Sequence, residues 1–237
     1  MALDFSQIKA ISIPEGSVKQ IADSQGNILW KKEKATLYRQ LEYIQSDSKA
    51  KNSFRIPLYV GFTSDNTTNL DIWYSLTQTS GQYYGAILSA YNNTHLAYVE
   101  GNSSSSQLRV RWSGGTWLNL GTLSSLGTSK HNIGLWNGQF WLDGNSKGTS
   151  GTGTVTNVTL FSQTPDGAEY SLIGRFYELI MKENNVEKHH FVPAQRKSDG
   201  VLGVYDTVAG VFRVNAGTGT FIAGPTTDEN PSWSPIN

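Results

Sequence analysis

Two alternating apolar runs meet at Asn137-Gly138, and no other dipeptide constrains the fold of this chain so tightly. Asn-Gly supplies the consecutive positive-φ positions of a type I′ turn, whose twist matches that of the strands it joins. A two-residue loop fixes the register: Trp136 opposite Gln139, Leu135 opposite Phe140, Gly134 opposite Trp141, Ile133 opposite Leu142 and Asn132 opposite Asp143. Side chains alternate along a strand, so Ile133, Leu135, Phe140 and Leu142 share one face and are expected to be core. Trp136 and Trp141 go to the opposite face, with Trp141 placed to cover the weak strand position at Gly134.

Similar alternation recurs at Leu108, Val110 and Trp112, at Val158 and Leu160, and at Ile173, Arg175, Tyr177, Leu179 and Met181. Breaks rich in Gly, Ser and Asn separate these runs, at 101–106 and 147–154 among others. Short strands at this spacing, without helical patterns between them, predict antiparallel sheets packed face to face. Arg175, if buried, needs an acidic or carbonyl partner. One segment reads two ways: Trp30, Leu37, Leu41 and Ile44 lie at helical spacing, so periodicity alone makes 31–46 an amphipathic helix.

With 237 residues the chain has room for one large core plus an appendage. It has no Cys, so disulfides and thiolate metal ligands are excluded and stability rests on packing and backbone pairing. Lys+Arg and Asp+Glu both number 19 and neither sign is concentrated, which argues against nucleic acid or anionic lipid as a partner. The weak self-repulsion of such a chain suits life inside an assembly. The first 30 residues lack the basic start and apolar run of a signal peptide, and no stretch has the length and hydropathy of a membrane-spanning helix. The sequons at Asn66, Asn92, Asn102 and Asn157 read as turn chemistry.

Three regions are expected. Residues 1–34 form a small β unit, with short strands at 11–13, 18–21 and 28–30 separated by Pro14-Glu15-Gly16 and by 23–27. Strands so short need the main domain or another subunit to pack against. Residues 35–224 form the main domain, and 225–237, with three prolines and Trp233, an extended tail along a surface.

The run Phe191-Val192-Pro193-Ala194, Gly203-Val204-Tyr205-Asp206 and Asn215-Ala216-Gly217-Thr218-Gly219-Thr220-Phe221 reads as consecutive hairpins. With Leu41-Glu42-Tyr43-Ile44, Lys130-His131-Asn132-Ile133 and Leu142-Asp143-Gly144, it makes Leu41 to Phe221 resemble the concanavalin A-like (laminin G-like) jelly-roll modules of phage and prophage tail and structural proteins. Residues 13–21 and 28–30 resemble short leader units of prophage-encoded virion proteins. The resemblance implies an all-β, two-sheet antiparallel jelly-roll sandwich, a connector through about Tyr38, and a strand over Leu41 to Ser46. It further implies a bacteriophage virion protein, tail-associated or fibre-like, assembled in the bacterial cytoplasm. In that reading the N-terminal unit docks on other virion proteins, copies associate as a homo-oligomer with a trimer preferred, and the sandwich faces a host surface glycan. Two alternatives stay open: an architectural head decoration or fibre protein, and a polysaccharide-degrading enzyme.

A glycan site on such a fold needs exposed flat aromatics with amides or carboxylates beside them, because sugar C–H faces stack on rings. Trp117, Trp136, Trp141, Asp143, Tyr83 and Tyr84 are the candidates. The commoner use of such aromatics is to fill the second face of a sandwich or a subunit interface. Catalysis is not expected: no Glu-x-Asp-x-x-Glu run occurs, Glu178 and Glu183 point to opposite faces of one strand, and Asp71 and Asp143 stand alone. His95 and His131 are isolated and no nucleophile-elbow motif is present. His189 and His190, adjacent on a strand, cannot ligate one metal together, and Asp199 and Asp206 read as hairpin turns or, less well, as calcium ligands. No cofactor and no metal is expected.

Overall fold

A computed structural model describes residues 20–22, 28–31, 37–46, 58–60, 68–77, 79, 84–91, 94–100, 107–111, 116–149, 156–162 and 173–227. The chain divides into two units, Met1–Leu37 and Tyr38–Asn237. In the first, β1 (Gln20–Ala22) and β2 (Ile28–Lys31) pair antiparallel, Ile21 opposite Trp30. The strand expected at 11–13, both turns of this unit and Trp233 in the tail lie outside the described residues.

The second unit continues with β3 (Tyr38–Gln40), β4 (Ile44–Ser46), β5 (Leu58–Val60), β6 (Thr68–Leu76), β7 (Tyr84–Tyr91), β8 (Thr94–Glu100), β9 (Gln107–Val110) and β10 (Leu118–Thr122). After α1 (Leu123–Leu126) come β11 (His131–Trp136), β12 (Gln139–Leu142), β13 (Asn145–Thr149), β14 (Thr156–Leu160), β15 (Gly174–Glu183), β16 (Val186–Arg196), β17 (Leu202–Asp206), β18 (Val211–Val214) and β19 (Phe221–Ala223). A six-stranded sheet runs β10-β9-β8-β7-β14-β5. An eleven-stranded sheet runs β13-β12-β11-β6-β15-β16-β17-β18, with β3 on β16, β4 on β15 and β19 on β4. Among the described residues every pairing is antiparallel, and one core cluster draws Leu70, Ile72, Ile133 and Leu179 from the large sheet and Ile87, Leu108, Val110 and Leu160 from the small one. The second unit is therefore an all-β, two-layer jelly-roll sandwich.

The β11–β12 hairpin has the register its turn dictates, Ile133 to Leu142 through Trp136 to Gln139, with Asn137 and Gly138 at φ of 51° and 76°. Ile133, Leu135, Phe140 and Leu142 are 0%, 1%, 0% and 6% exposed, and each such burial contributes about 1.5–3 kcal/mol. Asp143-Gly144 makes a second turn with positive φ at both residues, so the chain re-enters the sheet at once as β13. The expected break at 147–154 thus begins inside a strand.

Residues 38–46 are not helical: β3 and β4 flank an isolated bridge from Leu41 to Thr226, so the strand expected over Leu41 to Ser46 is realised only at Ile44–Ser46, and Leu41 and Ile44 are buried. The start of the expected tail is held here, with Glu42 N donating to Pro225 O and Thr227 N to Gln40 O.

The expectation that Ile173, Arg175, Tyr177, Leu179 and Met181 share a face fails at a β-bulge. Phe176 pairs with Tyr74 and Glu178 with Trp73, leaving Tyr177 as the extra residue. A bulge shifts the alternation by one, so Phe176 joins Leu179 and Met181 in the core while Arg175 and Tyr177 stay half-exposed. Arg175 meets its partner requirement through Gln45 Oε1, 2.9 Å from Nε, and stacks on Tyr43.

Candidate functional site

The outer face of the large sheet, opposite the core, carries the polar and aromatic partners of the buried alternation. On β6, Leu70, Ile72 and Tyr74 point inward, which turns Asp71 and Trp73 outward. Gly134 of β11 and Ile180 of β15 pair with Asp71, while Asn132 and Glu178 pair with Trp73. Asp71, Trp73, Asn132, Trp136, Trp141 and Glu178 therefore share one surface.

Trp136 and Trp141 are half-buried neighbours on this face, ring centroids 5.3 Å apart. Trp136 Nε1 donates to Asp71 Oδ2 at 3.1 Å, and Asn132 Nδ2 reaches Oδ1 at 3.5 Å. Gly134 makes this closure possible, because a Cβ there would lie 3.0 Å from the Trp136 ring and 3.1 Å from Asp71 Oδ1. The atoms nearest the glycine are thus those of Trp136 and Asp71, with the expected Trp141 directly across the strand pair. Burial pushes the Asp71 carboxyl up, and the Trp136 and Asn132 hydrogen bonds with nearby Lys182 do not offset it.

Next to this shelf, His190 Nε2 lies 2.6 Å from Glu178 Oε1, and its Nδ1 3.3 Å from Glu187. Asp71 consequently does not stand alone: Glu178 is its diagonal neighbour on the adjoining strand and adds a repulsive charge. Glu183 sits at the exposed strand end beside Lys188.

The other candidates go elsewhere. Asp143 is a turn residue, Oδ2 2.7 Å from His131 Nδ1 and Oδ1 accepting from Asn132 N at 2.8 Å, while His131 Nε2 reaches Leu126 O. Trp117 carries the Arg109 and Arg111 guanidiniums 4.9 and 4.8 Å from its ring. Those arginines alternate with buried Leu108 and Val110, so Trp117 belongs to the outer face of the six-stranded sheet and does not join Trp136 and Trp141. Tyr84 lies in β7, and Tyr83 falls outside the described residues.

His189 and His190 point to opposite sides, His189 Nδ1 meeting Asp206 at 2.6 Å. Asp206 also accepts from His190, Val208 and Ala209 N–H, and Asp199 is clasped by Arg196 and Val201 N, so both carboxylates serve turns. Trp73 is a site residue that the sequence reading passed over, while Glu178 and His190 were weighed there only as catalytic and metal-binding groups. The Leu70-Ile72-Tyr74-Leu76 alternation was the signal that would have placed Trp73.

No protein-family model matches the chain, and no curated protein matches it. Among solved structures, an alginate lyase of polysaccharide lyase family 7 is similar over 51% of this chain and 62% of that one, at 14% identity and a TM-score of 0.29. The chain thus spans less than two thirds of that protein, and so loose a likeness carries no argument about its function.

Proposed function

We propose that this chain is a bacteriophage virion structural protein, tail-associated or fibre-like, whose jelly-roll binds a carbohydrate on the outer face of the large sheet. The observation that carries the sugar reading is the shelf of Trp136 and Trp141 with Asp71 and Asn132 at its edge. Adjacent half-exposed indoles offer flat apolar area, and the carboxylate and amide beside them orient hydroxyls. The virion reading rests on the sequence resemblance over Leu41 to Phe221. In it, residues 1–34 dock on neighbouring virion proteins and copies assemble as a homo-oligomer.

The test is a host-glycan panel probed with the full chain and with Trp141→Ala. Binding that drops about tenfold or more in the variant supports the site, since one aromatic–sugar stack is an anchor of hot-spot size. Absence of binding leaves the architectural role of a decoration protein.

A degrading enzyme is the second reading, favoured by Asp71 and Glu178. The two carboxylates stand diagonally across neighbouring strands on one face, and a glycosidase needs a pair of carboxylates flanking the scissile bond. We assign binding instead, because Glu178 is engaged by His190 and the pair lies on an open sheet face. Release of new reducing ends from a bound glycan would reverse that assignment.

A further inference from the structure

We infer that Arg175 and Lys130, seated on a pair of tyrosine rings, form an anion site that takes the acidic group of a glycan, a uronate carboxylate or a phosphodiester. This rests on the reading that the outer face of the large sheet meets a glycan, and adds a ligand class to it.

The site is one row of that face. Arg175 of β15 pairs with Gln45 of β4 on one side and Ser75 of β6 on the other. The register of His131 on Tyr74 sets Lys130 beside Ser75, just before β11. Ile44, Tyr74 and Phe176, one position along the same strands, are core residues, so the row points outward. The bulge adds Tyr177, whose ring centroid is 5.7 Å from that of Tyr43 and whose hydroxyl is 3.2 Å from Ser75 Oγ.

Both cations are held without being neutralised. The Arg175 guanidinium lies 4.5 Å from the Tyr43 ring centroid and its Nε donates to Gln45 Oε1 at 2.9 Å, while Lys130 Nζ lies 4.6 Å from the Tyr177 centroid. An aromatic face and an amide oxygen fix a cation and leave its charge in place. Neither cation forms an ion pair with a described carboxylate. Of the acidic groups on this face, Glu178 is engaged by His190 at 2.6 Å, and Asp71 takes the Trp136 and Asn132 N–H groups.

With Nε given to Gln45, the two Nη groups of Arg175 present the planar fork that meets the paired oxygens of a carboxylate or phosphate, and Lys130 adds a point charge beside it. Fixing the guanidinium beforehand lowers the ordering cost of that contact. Lys130 and Trp136 bracket β11 six residues apart, about 20 Å by strand rise, so an acidic chain of several sugars seated on the shelf reaches the cations.

The experiment titrates the full chain with a galacturonic acid oligomer, the same oligomer methyl-esterified at its carboxyls, and a glycerol phosphate oligomer of matched length, at low and high salt. The expected result is binding of at least one acidic oligomer about tenfold or more tighter than the ester at low salt, with the advantage shrinking as salt screens the attraction. Which of the two is tighter names the source of the anion. Arg175→Gln and Lys130→Gln should each remove most of that advantage; Lys130 is exposed, so its variant and the salt series read the effect even should the Arg175 variant not fold. An ester bound as tightly as both acidic oligomers overturns the inference while keeping the shelf a sugar site. Binding of none of the three overturns the inference together with the sugar-binding reading.

Discussion

Three buried or half-buried groups show how differently single residues contribute. Tyr74 is fully buried, and its hydroxyl has no hydrogen-bond partner among the described residues, so burial holds its ionisation well above the ordinary range. Tyr74→Phe should therefore raise stability by about 1 kcal/mol, read as a higher urea midpoint. Asp206 is the opposite case. Burial pushes its carboxyl up, but His189 and the His190 and Ala209 N–H groups together hold it below the ordinary value. A lowered folded value contributes stability above the unfolded pKa and loses it as pH falls through the folded one. Asp206→Asn should cost about 1–3 kcal/mol at neutral pH, with the gap to the unmodified protein closing below roughly pH 4. Asp71 has its value raised, so its contribution is full below the unfolded pKa and lost as pH rises through the folded one. Asp71→Asn should then leave neutral-pH stability equal or higher while weakening sugar binding, a split that chemical denaturation and titration together would expose. Asp71 was legible in the sequence only as a solitary carboxylate. Its neighbours Glu178 and Asn132 lie 107 and 61 positions away, and no local pattern announces such a meeting.

At the scale of elements, what could be read ahead was what turn chemistry and alternation dictate locally. Asn137-Gly138 set the register of β11 and β12, and the hairpins of β16, β17 and β18 followed from Asp199-Gly200 and from the turn that Asp206 caps. Gly138 at φ 76° occupies the left-handed region, so Gly138→Ala should cost about 1 kcal/mol in a denaturation curve. The bulge at Tyr177 was not legible, because uninterrupted alternation from Ile173 to Met181 gives no hint of an extra residue; it arises where β15 must match β6. Gly134 links element to function. Gly134→Ala would force Trp136 and Asp71 apart, and sugar affinity should fall further than stability does, as comparison of titration with thermal unfolding would show.

Across the whole molecule, the alternating runs led correctly to two antiparallel layers around one core, whereas strand order lay beyond them. β6 sits between β11 and β15, partners drawn from far along the chain, and this insertion alone brings Asp71 to Gly134 and Ile180. The sandwich thereby turns one broad sheet face outward, with its aromatic and acidic groups fixed on strands rather than loops. Rigid placement lowers the ordering cost of recognition. The most direct check follows the indole N–H resonances of the 15N-labelled protein during titration with an oligosaccharide that it binds. The account predicts shifts at Trp136 and Trp141 with Trp117 unmoved; shifts confined to Trp117, or binding that leaves both shelf indoles unchanged, would contradict it.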